Sequence, residues 1–205
     1  MRVLAVDGPE ALQVRRLAAK VGTSTMTVYT HFGGMSQLVT EIRREGFIRF
    51  IRHLDEVTPG GDPVADLLAL GLAYRDYGVN NLQLYRLMFA VTSAGGRQGG
   101  KDSVAAITRE PMPEGQAAYD RLVTAVTRVI ETGDTCQESP SSAAAQIWSA
   151  LHGYVLLEIS DSFGNSGESV GRVLLPLLTK LAVGIGADPE HATRARQAAA
   201  SQFTL

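Results

Sequence analysis

Cysteine is almost missing from this sequence: Cys136 is the only one in 205 residues. That excludes a disulfide framework within the chain, and Cys136 itself reads as a thiol without a role. Tryptophan is equally scarce, with Trp148 alone, and aromatic residues make up 6%. No run of eighteen apolar residues and no signal-peptide pattern occur, so a soluble, cytoplasmic protein with no membrane partner is expected. Strict alternation of apolar and polar residues never persists long enough to build a sheet, which leaves an all-α fold. Nor does any serine or cysteine nucleophile stand beside a base, or any histidine at metal-ligand spacing. An enzyme, a metal and a cofactor are therefore not expected. One near-match to a phosphate-binding loop runs from Gly95 to Gly100-Lys101. Asp102 follows where Ser or Thr should hold magnesium, and its charge would repel phosphate, so this motif is set aside.

The net charge of −2 conceals an asymmetry. Residues 1–53 hold eight Lys and Arg against four Asp and Glu; residues 54–205 hold eleven against seventeen. A basic head on an acidic body suits a chain that meets a polyanion with one end only.

Within the basic part, Val14 to Phe32 reads VRRLAAKVGTSTMTVYTHF. Val14, Leu17, Ala18 and Val21 recur at helical spacing, and Gly22 ends that helix as a residue tolerant of positive φ. Ser24 is placed to cap a second helix, with Val28 and Phe32 turned inward. Thr25, Met26, Thr27, Tyr29 and His31 are then left on or near its outward face. Short side chains first and hydrogen-bonding ones after are what a helix entering the major groove requires.

Arg15-x-Leu17-Ala18, Gly22-x-Ser24 and Tyr29-x-His31-Phe32 together resemble the DNA-binding head of the tetracycline-repressor (TetR) family. The resemblance implies a homodimer whose two heads enter successive major grooves of a pseudo-palindromic operator. Thr25, Met26 and Thr27 would meet base edges, Met26 through apolar contact such as a thymine methyl. Tyr29, His31 and Arg15 would hold phosphates, with Ser24 and Gln13 at the starts of the two helices. Three departures accompany the match. Arg2 to Val6, ended by Asp7-Gly8-Pro9, is only the last turn of the longer first helix the family places here; a start codon assigned too late is the favoured explanation. Leu12 and Gln13 stand where the family usually has Ser or Thr, and Met35 where it often has Lys. Each absent phosphate contact should lower affinity for all sequences and flatten the salt dependence by roughly one unit of slope.

Beyond the head, Ser36 is placed to cap a long helix to about Val57, followed by a turn at Thr58–Pro63 that marks the expected domain boundary. Asp62 and Pro63 start the next helix, carrying Tyr74 and Tyr77. Leu82, Tyr85, Met88 and Phe89 share one face, which reads either as plain core or, being polarisable and aromatic, as the wall of an apolar pocket. A Gly- and charge-rich stretch from Ser93 to Pro113 reads as a loop. Helices follow over Pro113–Thr132 and from a cap at Ser141 or Ser142 to about Phe163. Trp148, His152 and Leu156 succeed one another at i+4 on the second, His152 being either a histidine hydrogen-bonded in the core or a contact to a bound ligand, while Glu158 and Asp161 near its end read as solvated. Trp148-Ser149-Ala150-Leu151-His152-Gly153 resembles the Trp-His-Gly signature of one TetR subgroup. Val170, Val173, Leu174, Leu177, Leu178, Leu181 and Ile185 make a strongly apolar helix interrupted by Pro176, and its first six members are the expected dimer interface. Asp188-Pro189-Glu190 starts a last helix.

The expectation is an all-α chain with a helix-turn-helix DNA-binding head (residues 1–53, first helix truncated) and a helical ligand-binding and dimerisation body (54–205). The resemblance implies a ligand-responsive transcriptional regulator, most often a repressor, released by a small, largely apolar effector. Tyr74, Tyr85, Met88, Phe89, Trp148, His152 and Leu156 are the candidate effector pocket. The rival reading is a dimeric small-molecule-binding protein of the same fold that has lost specific DNA binding.

Overall fold

The computed structural model describes residues 12–89, 111–133, 138–164 and 168–203. Cys136, the Gly95–Asp102 segment and residues 2–9 lie outside them. Among the described residues all regular structure is helical: α1 (Val14–Val21), α2 (Thr25–Phe32), α3 (Met35–Asp55), α4 (Pro63–Asn80) and α5 (Leu82–Met88) come first. They are followed by α6 (Pro113–Thr132), α7 (Pro140–Ile159), a π-helical stretch at Val170–Leu174 continuing into α8 (Leu175–Gly184), and α9 (Pro189–Ser201). No helix among the described residues is long and apolar enough to cross a membrane.

The chain forms two compact units, Met1–Phe50 with Asn80–Gln116, and Ile51–Val79 with Ala117–Leu205. One division falls inside α3, and the first unit regains the chain at Asn80, a return that no shift in composition marks.

In the first unit, Ala18, Val28 and Leu38 from α1, α2 and α3 are buried together, with Val14, Leu17, Met35 and Ile42 packed around them. Two inward assignments fail. Val21 is 75% exposed and Phe32 39% exposed, because helices of two turns cannot turn every apolar residue toward so small a core. Ser36 is not a cap either: α3 begins at Met35, and Leu38 N–H already donates to Gly34 carbonyl at 3.2 Å. Farther along α3, Phe47 meets Phe89 edge-on with centroids 5.5 Å apart, and Tyr85 lies 4.7 Å from the same ring. Gly46 is needed there, since a Cβ would come within 2.8 Å of the Met88 side chain.

The second unit is built around α4, which is buried on nearly every side, as Leu67, Leu68, Leu72, Ala73 and Tyr77 attest. A helix apolar all round belongs in an interior, and each buried leucine contributes roughly 1.5–3 kcal/mol. Gly71 lets α8 approach: a Cβ there would sit 2.5 Å from Leu178 Cδ1. The Asp62 carboxylate caps α4 by accepting from the Val64 and Ala65 N–H groups at 3.0 and 3.3 Å. It also meets His191 Nε2 of α9 at 2.9 Å. Buried Asp66 accepts from Gly60 N–H at 2.7 Å and from Arg128 at 2.8 Å, which ties the turn before α4 to α6.

Three expectations for this unit are corrected. The cap of α7 is Ser139, whose hydroxyl accepts from Ser142 N–H, with Pro140 in the first turn; Ser141 and Ser142 lie inside the helix. That helix ends at Ile159, after which Asp161 adopts φ 60°, and Phe163 folds back to stack on Tyr154. Glu158 is not solvated. Its side chain is 13% exposed and forms a two-pronged ion pair with Arg75 of α4, 20% exposed. Glu158 also accepts from Ser169, which in turn accepts from Tyr154 at 2.8 Å.

Candidate nucleic-acid interface and body cluster

The turn between α1 and α2 follows from two residues. Gly22 sits at φ 72°, where a Cβ is disfavoured, so the chain reverses there and Thr23 N–H closes onto Ala18 carbonyl at 2.9 Å. Ser24 then turns its hydroxyl toward the start of α2, accepting from Thr27 N–H at 3.1 Å. At the other end Gly33, φ 69°, stops the helix by donating to Tyr29 carbonyl at 2.7 Å.

This fixes which side chains of α2 meet solvent. Thr25, Met26, Tyr29, Thr30 and His31 are exposed, Met26 at 71% and Tyr29 at 53%. Thr27 is half-buried, its hydroxyl paired with Ser24 Oγ at 2.9 Å. Thr27 therefore stands at the edge of the outward face instead of its centre, while Thr30, absent from the expected contacts, stands within it. The signal was available: Met26 and Thr30 are four apart and share a ridge. On α1, Arg15, Arg16 and Lys20 are exposed, and Gln13 is the extended residue before the helix, its exposed side chain making no capping bond. Leu17, Val21, Thr23, Thr27, Val28, His31, Phe32, Leu38 and Ile42 line an apolar groove of about 410 Å³ beside α2.

The expected pocket residues fall into two clusters, one in each unit. Tyr85, Met88 and Phe89 lie in the first, Tyr85 and Met88 fully buried. In the second, Trp148 Nε1–H donates to Tyr74 Oη at 3.2 Å, and that oxygen lies 3.2 Å from His152 Nδ1. Burial pushes the His152 imidazole below its ordinary value, which favours the neutral ring. Tyr74 Oη thus accepts from the indole and shares one further hydrogen bond with Nδ1, whose direction follows the His152 tautomer. Tyr119 meets the Trp148 ring edge-on at 6.0 Å, and Trp148 keeps an exposed edge. Leu156, one turn beyond His152, is half-buried.

Of the expected interface residues, Val170, Leu174 and Leu178 are buried in the chain's own core, Leu178 against Gly71. Val173 is exposed and Leu177 and Leu181 partly so, with Leu157 of α7 also exposed. Leu175 N–H reaches back five residues to Val170 carbonyl, and Pro176 has no N–H to give to Gly171 or Arg172.

Comparison with known proteins agrees with this geometry. Residues 1–42 match the model of the bacterial regulatory proteins of the tetR family, and residues 67–181 match the tetracyclin repressor-like C-terminal domain. The chain belongs to the TetR family. An uncharacterised HTH-type transcriptional regulator of Mycobacterium tuberculosis, Rv0681, is 25% identical over 189 residues, 90% of this chain and 77% of its own. A Rhodococcus sp. RHA1 protein of unknown function shares the fold, with a TM-score of 0.69 at 23% identity, over 91% of this chain and 90% of that one. TetR proteins are DNA-binding transcriptional regulators, and α1 and α2 are the helix-turn-helix of this TetR head.

Proposed function

We propose that this TetR protein is a ligand-responsive repressor that binds a pseudo-palindromic operator as a homodimer and is released by a small, largely apolar effector. DNA contact is confined to residues 1–53, while residues 54–205 carry effector binding and dimerisation. The observation that carries this reading is the outward face of α2, where Met26 and Tyr29 project from a helix whose other side is anchored by Val28. Thr25 and Met26 at its N-terminal end meet base edges, with Ser24 and Thr27 beside them, and Tyr29, His31, Arg15 and Gln13 hold phosphates. In the second unit, Tyr74, Trp148 and His152 supply polar anchors and Leu156 supplies apolar surface to the effector, while Tyr85, Met88 and Phe89 belong to the first unit's own packing. The effector acts only through its different affinity for two head separations. Val173, Leu177 and Leu181, with Leu157, form the self-complementary apolar face.

A second reading, a dimeric small-molecule-binding protein without specific DNA recognition, draws on Met35, whose side chain packs against the head core and offers no cation to phosphate. Fluorescence polarisation against the promoter region beside the protein's own gene separates the two. Binding at low salt that survives excess unrelated duplex supports the repressor, and binding that the competitor removes supports the rival.

A further inference from the structure

Resting on the DNA-binding reading above, we infer that the ridge formed by Met26 and Thr30 recognises the 5-methyl groups of thymine, so that this head reads methyls at the centre of its face. The argument is an inventory of what α2 holds out. Thr30 Oγ1–H donates to Met26 carbonyl at 2.9 Å, so its single proton is committed, leaving its methyl and an oxygen that can only accept. One of the Ser24 and Thr27 hydroxyls donates to the other, and Ser24 Oγ also accepts from Thr27 N–H. One proton of the Ser24–Thr27 pair stays uncommitted, but Thr27 is half-buried at the edge of the face, and at its centre Thr30 has no proton to give. Met26, 71% exposed and one turn before Thr30 on the same ridge, presents a thioether and methyl with no proton to give. In the major groove the thymine methyl is the apolar feature that an ordinary base pair displays, and an apolar side chain is its complement. Thr25 and Tyr29 lie on the neighbouring ridge and keep hydroxyls for oxygen atoms.

The test uses one promoter-region fragment made twice, with thymidine and with deoxyuridine, so that only the 5-methyl groups differ. Affinities are measured by polarisation under excess competitor of matching composition. Wild-type protein should bind the uridine fragment roughly four-fold more weakly per methyl contacted, or roughly fifteen-fold when both half-sites lose one. Met26→Ala should weaken binding to the thymidine fragment and bring the two fragments to within two-fold of each other. Thr30→Val, which keeps the branch and removes the hydroxyl, should retain the discrimination, and Thr30→Ser should reduce it. Equal wild-type affinity for the two fragments overturns the inference, as does full discrimination surviving in Met26→Ala, which would assign the effect to duplex stiffness. If the competitor removes wild-type binding to both fragments, the DNA-binding reading itself fails and this inference falls with it. Circular dichroism of each variant establishes that the exposed substitutions leave the helices intact.

Discussion

Removing Glu158 should destabilise the second unit more than removing any surface charge on the chain. Its carboxylate meets Arg75 through two hydrogen bonds, Nε to Oε2 at 2.8 Å and Nη2 to Oε1, with side chains 13% and 20% exposed. Arg75 is held above its ordinary value chiefly by that hydrogen bond, against the effect of its own burial. Breaking a fully buried pair costs about 3–5 kcal/mol because the surviving charge is stranded. Some water reaches Arg75, so Glu158→Ala should cost roughly 2–4 kcal/mol, scaled down from that range. For a chain of this size a loss of about 3 kcal/mol lowers Tm by roughly 6–12 °C. Urea unfolding at fixed protein concentration is the assay, since dimerisation would make stability depend on concentration. Removing both charges, Arg75→Met with Glu158→Leu, should recover more than half of the loss, because no stranded guanidinium remains. Arg172→Ala, which breaks an exposed pair with Glu168, is the control, at about 0–0.5 kcal/mol. A cost below about 1 kcal/mol for Glu158→Ala would refute the claim that this pair is desolvated.

Tyr29→Ala should weaken operator binding at least ten-fold and leave the melting temperature within 2 °C, about the shift a half-kcal/mol surface change produces; a parallel loss of stability would return the ring to a folding role. Gly71→Ala places a methyl 2.5 Å from Leu178, and overpacking of this kind costs about 1–3 kcal/mol, readable in urea, whereas Gly153→Ala meets nothing within 4 Å and should be neutral or stabilising. Acid should destabilise the protein through His152. Burial lowers its folded value below the ordinary 6.5, so the unfolded chain takes up the proton first. Its contribution is then intact above about 6.5 and declines as pH falls toward the folded value, and His152→Gln should flatten the slope of stability against pH in that window. An unchanged slope would mean that this imidazole is not desolvated.

The helix-turn-helix was legible because its signals are local. Gly22, Ser24 and the spacing of Ala18 and Val28 each act within a few residues, and all four do what their chemistry implies. Asp188 and Asp62 were legible as caps for the same reason. What could not be seen depends on partners far along the chain. Glu158 looks like a solvated acid at a helix end until Arg75, 83 residues earlier, is placed beside it. Val21 and Phe32 look like core until the small size of that core is known. Likewise Thr27 looks outward as long as Ser24 is treated only as a cap and not as a partner for its hydroxyl. Periodicity reports which residues could share a face; it does not report how much of that face a neighbour covers.

The widened turn at Val170–Leu174 has a bearing on ancestry. A helical turn that reaches back five residues holds one residue more than an ordinary turn, and such a surplus is how a helix absorbs a single-residue insertion without moving the segment downstream. Relatives one codon shorter at this point should carry a plain helix whose flanking turns keep the orientation they have here, because the extra residue is taken up within the wide turn. Chain length can thus vary by one residue here while Leu178 keeps its seat against Gly71.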